Sequence, residues 1–152
     1  MKLHTLVREQ IVARPLDEVF DFFSQPENLA RLTPSSLGFQ ILTPGPVTVK
    51  EGALIDYVVR PLGFPMRWRT MITTHDPPHR FVDEQLVGPY SFWHHTHTFS
   101  ETVDGTSIGD RVVYGLPLEP LGGLAHPLIR NQLDRIFAYR RRIIAEIFGT
   151  PT

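Results

Sequence analysis

The sequence predicts an α+β fold in which one antiparallel sheet of seven strands is packed by a long C-terminal helix. Three observations carry this expectation. A β-rich first segment is followed at once by two short helical stretches, the middle of the chain is cut by Pro and Gly clusters into short runs, and the last segment repeats apolar residues by threes and fours. At 152 residues the chain is expected to form a single domain, 1–152, long enough to bury a core without staples.

Leu3 to Val12 mixes polar residues with β-branched Val and Ile and stops at Ala13-Arg14-Pro15, which predicts the first strand. Pro15 suits a helix start, Asp17 and Glu18 suit the positive end of its dipole, and Leu16, Val19, Phe20 and Phe23 recur at helical spacing. A second short helix begins at Pro26 and stops at Thr33-Pro34, because the residue before a proline avoids the helical region. Strands are then expected at 37–43, 52–60, 65–75, 80–87, 91–100 and 106–116. The turns between them fall at Thr43-Pro44-Gly45-Pro46, Pro61-Leu62-Gly63, Asp76-Pro77-Pro78, Gly88-Pro89 and Asp104-Gly105. From Leu124 to Phe148 the apolar stripe of an amphipathic helix runs to Gly149 and Pro151, with Pro127 starting or breaking it and 118–126 left as a loop or separate helical turn.

Hairpin geometry assigns faces. A two-residue turn at Asp104-Gly105 sets Phe99 opposite Asp110, His97 opposite Val112, His95 opposite Tyr114 and Trp93 opposite Leu116. A four-residue connection at 61–64 sets Tyr57 opposite Trp68, Ile55 opposite Thr70 and Ala53 opposite Ile72, with Asp56, Arg67 and Arg69 facing away. The face with both Trp residues is assigned to the interior. In strand 80–87 either Phe81, Asp83 and Gln85 or Val82, Glu84 and Leu86 point inward.

Composition excludes several functions. Fifteen Lys+Arg against sixteen Asp+Glu leave a formal charge of −1, which gives nucleic acid or an anionic membrane no electrostatic hold. With no cysteine there are no disulfides, thiol nucleophiles or thiolate zinc sites. Met1 is followed by KLHTLVREQ, without the apolar run of a signal peptide or membrane span, so a cytoplasmic location without integral membrane contact is the expectation. No serine sits in a nucleophile elbow, and no phosphate-binding glycine loop occurs. His95 and His97, on one strand face, invite a metal with Asp83 or Asp110 as third ligand. No third His is well placed and His94 faces away, so neither metal nor cofactor is expected. His4, His75, His79 and His126 are expected at exposed loops or strand ends, and Arg140-Arg141-Arg142 as a solvated charge run on the outer helix face.

Four segments carry a family resemblance: PENLARLTP (26–34), ALIDYVVRPLGFPMRWRTMI (53–72), PPHRFVDEQLVGPYSFWHHTHTF (77–99) and DRVVYGLP (110–117). With the order strand, two helices, meander and long helix, they resemble the START-like helix-grip superfamily, SRPBCC, and within it a branch of small bacterial proteins, some named cyclase/dehydrase. The superfamily includes birch-pollen-allergen-type proteins, aromatic polyketide cyclases and lipid- and quinone-carrying proteins. The resemblance implies a curved sheet and long helix enclosing a cavity for an apolar small molecule, and it places Asp83 and Gln85 inward. One face then collects Tyr57, Trp68, Thr70, Phe81, Asp83, Gln85, Trp93, His95, His97, Asp110 and Tyr114. Of these, Tyr57, Trp68, Thr70, Phe81, Gln85, Trp93, His95, His97 and Tyr114 are the expected ligand-binding residues. His95, His97, Asp83 and Asp110 are the candidates for acid–base chemistry.

Buried polar atoms left unpaired cost roughly 1–3 kcal/mol each, so those of the inner face are expected to pair with one another or with a ligand. Three readings follow. The first is a module that carries or senses a hydrophobic or amphipathic small molecule such as a lipid, quinone or polyketide-like compound. The second is a cyclase/dehydratase-type enzyme using His and Asp on a carbonyl substrate. The third is a protein-partner module whose cavity is closed.

Overall fold

The computed structural model describes residues 1–61 and 63–152; Leu62, in the expected 61–64 turn, lies outside the described residues. The elements are β1 (Leu3–Val12), α1 (Leu16–Phe23), 3-10 turns over Pro26–Leu32 and Ser35–Leu37, β2 (Gln40–Ile41), β3 (Leu54–Val59) and β4 (Met66–Asp76). They continue with β5 (Arg80–Val87), β6 (Phe92–Thr102), β7 (Gly105–Gly115), α2 (Leu121–Leu124) and α3 (His126–Phe148). The seven strands form one antiparallel sheet in the order β1-β7-β6-β5-β4-β3-β2. The α+β architecture is the expected one.

Alternation along the strands sorts the sheet into two faces. Leu6 and Val12 of β1, Ile55, Tyr57 and Val59 of β3, Trp68 and Ile72 of β4, and Trp93 and Phe99 of β6 are all buried on the inner face. Across this face α3 lays Leu133, Phe137, Arg140, Ile144 and Phe148, spaced by threes and fours. Phe148 meets Phe22 edge-on at 5.1 Å between centroids, so the helix end closes against α1. Gly149, at φ +81°, terminates α3 and accepts a hydrogen bond from Ala13 N at 3.1 Å, fixing the helix to the end of β1.

Two local expectations are corrected. The strand foreseen at 37–43 shrinks to Gln40–Ile41, because Ser35–Leu37 turns into a 3-10 helix and Gly38 ends it in the left-handed region at φ +60°. The β6–β7 hairpin turns at Val103-Asp104, with Thr102 paired to Gly105, so the register slides by two from the expected one. Gly105 belongs to the strand: at φ +145° a side chain there would run into the Val12 carbonyl oxygen. His97 therefore opposes Asp110, His95 opposes Val112 and Trp93 opposes Tyr114. A slide of two conserves the faces, and the inner set survives intact.

The β3–β4 register is as expected, with Tyr57 opposite Trp68 and Ile55 opposite Thr70. On the outer face Asp56 accepts from Arg69 at 2.9 Å and lies 3.6 Å from Arg67. In β5, Phe81 pairs with His97 and Asp83 with His95, which settles the open alternative in favour of Phe81 and Asp83 inward.

Candidate functional site

The inner face divides into an aromatic wall and a polar cluster. The wall is assembled at the Tyr57–Trp68–Trp93 end of the sheet. Tyr57 stacks on Trp68 at 5.7 Å, Trp68 meets Trp93 edge-on at 5.3 Å, and Tyr90 lies 4.8 Å from Trp93 and 5.8 Å from Tyr114. Trp68 and Trp93 are 8% and 9% exposed, and Tyr114 is fully buried. The sequence reading omitted Tyr90, which sits in the β5–β6 connection. Gln85 positions it: its amide nitrogen donates to Tyr90 O at 2.7 Å and its amide oxygen accepts from Tyr90 N at 3.1 Å. Thr70 likewise spends its hydroxyl on the Glu84 carbonyl at 3.1 Å. Burial raises the Tyr57 and Tyr90 hydroxyls well above the ordinary tyrosine range, so both stay neutral donors. The Trp68 indole N–H is buried and meets no acceptor among the described residues.

The polar cluster lies beside the wall, under Phe137. His97 donates through Nε2 to Asp83 Oδ2 at 2.5 Å, and His95 donates through Nε2 to Asp110 Oδ1 at 2.8 Å. Each imidazole thus bonds the carboxylate diagonal to it in the sheet, and the two rings stack at 3.7 Å between centroids. Phe81 stacks on the far side of His97 at 4.1 Å, and Phe137 approaches His95 at 6.0 Å. Arg140 Nη2 donates to the same Asp110 oxygen at 3.3 Å.

Electrostatics decide the protonation of this set. Burial raises the Asp110 carboxyl, but Arg140, His95 and His97 outweigh it and hold it well below the usual carboxylate range. Burial raises Asp83 as well, but its bond to His97 and the proximity of His95 and Arg140 outweigh it and leave the carboxyl lowered. With both carboxylates ionised, the two Nε2 atoms must carry hydrogen, which leaves each Nδ1 as the basic nitrogen. His97 Nδ1 lies 3.6 Å from Asp110, yet burial first and the His95 ring second push the His97 imidazole down to about 4. Desolvation and the neighbouring imidazole outweigh both carboxylates there.

Arg140 corrects the reading of the 140–142 run. Arg141 and Arg142 are exposed as expected, whereas Arg140 is 5% exposed and sits in the buried stripe of α3 between Phe137 and Ile144. The signal was in the sequence: position 140 falls on the apolar helix face. His4 and His126 also depart from expectation. They stack at 3.7 Å, and His126 shares a hydrogen bond of 3.0 Å with the Tyr114 hydroxyl, tying β1, β7 and the start of α3 together.

Asp83, His95 and His97 each bring one potential ligand atom within 4.8 Å of the others. A zinc ion there would have to displace the Asp83–His97 bond. A cleft of about 970 Å³ opens between α1, residues 45–49 and Pro77-Pro78, and a groove of about 210 Å³ between β1 and α3 reaches the polar cluster at Asp110 and Arg140.

The sequence pattern of a family described as "Polyketide cyclase / dehydrase and lipid transport" matches residues 4–144. The chain belongs to that family. No curated protein matches it. Among solved structures, TTHA0849 from Thermus thermophilus is similar with a TM-score of 0.73 at 18% identity, over 94% of this chain and 95% of that one. CV1439 from Chromobacterium violaceum gives 0.74 at 14%, over 96% and 98%. The di-domain ARO/CYC StfQ from the steffimycin biosynthetic pathway gives 0.73 at 16%, over 97% of this chain and 51% of that one. At these identities the structures share the helix-grip fold of the family and no more. No helix of the described residues is long and apolar enough to cross a membrane.

Proposed function

We propose that this polyketide cyclase/dehydrase-family protein binds a hydrophobic or amphipathic small molecule, of lipid, quinone or polyketide-like type, against the aromatic wall between the sheet and α3. The observation that supports this reading best is the wall itself. Tyr57, Trp68, Tyr90, Trp93 and Tyr114 gather five rings at one end of the sheet, and the Trp68 N–H among them lacks an acceptor. A donor left without a partner costs roughly 1–3 kcal/mol, a penalty that a ligand carbonyl or hydroxyl removes on binding. Mostly apolar walls with a few placed donors are the usual makeup of small-molecule sites.

Both tryptophans of the chain are in the wall, so intrinsic fluorescence reports on it directly. Titration with oleate, with menadione and with emodin is expected to change the emission saturably at one equivalent for at least one of the three. Absence of any saturable change with all three contradicts the reading.

A second reading rests on a separate observation, the two buried His–carboxylate pairs at 2.5 and 2.8 Å. In a cyclase/dehydratase-type enzyme, the free Nδ1 of His95 or His97 takes a proton alpha to a substrate carbonyl while its carboxylate partner holds the ring. Turnover of a polyketide-like carbonyl substrate that disappears in His97→Asn, at unchanged fold, selects this reading over carriage alone.

A further inference from the structure

The groove between β1 and α3 lies apart from the aromatic wall. Arg8, Gln10, Asp110, Phe137, Arg140 and Ile144 are among the residues that line it. We propose that this groove is a carboxylate-binding site, anchored by Arg140, for an organic acid with a small apolar body. This goes beyond the small-molecule site on the wall and does not depend on it.

The argument begins with donor capacity. A guanidinium offers five N–H groups in a planar fork. Among the described residues Arg140 makes one side-chain hydrogen bond, to Asp110 at 3.3 Å, and its buried Nε has no partner. Phe23 lies 5.2 Å and Phe137 6.0 Å from the guanidinium carbon, so water is largely excluded and a charge-assisted bond gains strength. The other two cations of the groove reach water with whatever their bonds leave over: Arg8 donates to Asp134 at 2.6 Å and is part-exposed, and Arg141 donates to the Glu9 carbonyl at 2.7 Å and is exposed. The buried fork with an unpartnered N–H is Arg140's.

Charge and shape select the ligand class. Glu9, Asp110 and Asp134 also line the groove, and Asp110 shares the Arg140 guanidinium. A dianion such as phosphate meets that carboxylate with twice the repulsion of a monoanion. Phe137 and Ile144 give the groove apolar walls, which favour an organic body over a hydrated inorganic ion. A carboxylate fits the fork geometry in the bidentate manner that arginine provides and lysine does not.

The test is a titration of the nitrogen-15-labelled protein with benzoate, with inorganic phosphate and with sodium chloride at matched ionic strength, followed by arginine Nε–H resonances and calorimetry. Benzoate is expected to move one Arg Nε–H signal and to saturate in the low-millimolar range, while phosphate and chloride do not saturate. Ala138→Phe fills the groove from an exposed position of α3 and should weaken benzoate about tenfold or more at unchanged melting temperature. Arg140→Lys keeps the charge beside Asp110, removes the fork and should weaken benzoate to the same degree; if it fails to fold, Ala138→Phe carries the test. No saturable benzoate binding by the wild type, equal binding by Ala138→Phe, or phosphate binding as tightly as benzoate overturns the proposal.

Discussion

His95 and His97 stack at 3.7 Å and bond crosswise, His95 to Asp110 and His97 to Asp83, so neither ring moves without breaking a charge-assisted hydrogen bond. Asp83, Asp110 and Arg140 together carry one net negative charge in the core, and taking charge out of water is costly unless it is paired. Arg140 and the two Nε2–H donors are what make the cluster tolerable in the core.

Stability should therefore fall on mild acidification. The His97 imidazole titrates at an ordinary 6.5 in the unfolded chain and at about 4 in the folded one, so between these values the unfolded state takes the proton first. The folded state is favoured above that window and loses stability as pH drops through it, at a slope of about 1.4 kcal/mol per pH unit for one proton. Below it, Asp83 and Asp110, whose carboxyls are depressed in the fold, give up their contribution as they protonate. Urea unfolding between pH 7.5 and 4.5 checks this; a free energy that stays flat over the range contradicts it.

Arg140→Leu takes the guanidinium from the buried Asp110 carboxylate, which keeps its His95 bond but loses its cationic partner, and should destabilise by roughly 3–5 kcal/mol. Asp110→Asn in the same background removes that charge, so the double variant should recover part of that loss. A double-mutant cycle from denaturant melts reads the coupling, and strictly additive losses would show that the two groups do not act as a pair.

His95→Asn and His97→Asn should each cost roughly 1–3 kcal/mol of stability, because each removes a buried donor to a carboxylate. If carriage is the whole function, affinity for menadione should change less than about threefold in both, since the wall is untouched. A loss of tenfold or more at intact fold would place the imidazoles against the ligand.

Metal should not be needed. Of the three potential ligands within 4.8 Å, Asp83 and His97 are bonded to each other at 2.5 Å, and His95 is bonded through Nε2 to Asp110 at 2.8 Å. Thermal unfolding is expected to be indifferent to EDTA; stoichiometric zinc in the purified protein, with a melting temperature that drops on chelation, would contradict this.

Much of this arrangement was legible in the residues, and the misses have specific physical causes. The two-residue period of the strands and the four-residue connection expected at 61–64 put Tyr57 opposite Trp68, and the strand register agrees. Their alternation also made the inner face of β6 and β7 robust to a wrong turn, since a slide of two leaves every side chain on its face. The hairpin itself was misplaced because Asp-Gly is a strong turn signal, whereas here Gly105 serves as the strand residue that passes close to Val12. Arg140 was missed because a run of three arginines reads as surface, although the spacing from Phe137 to Ile144 marks its position as inward. Tyr90 was hidden because a residue after Gly88-Pro89 reads as loop, and only the Gln85 clamp turns it into part of the wall. The His4–His126 stack joins residues more than a hundred positions apart and leaves no local trace.

The most direct test of the wall as a ligand site is the tryptophan indole region of a proton–nitrogen-15 correlation spectrum, which holds two signals, from Trp68 and Trp93. On titration with oleate, menadione or emodin, both signals should shift saturably together, and the Trp68 signal should move in the direction of a newly formed hydrogen bond. If ligand binds while both indole signals stay in place, the molecule lies elsewhere and the wall is only core.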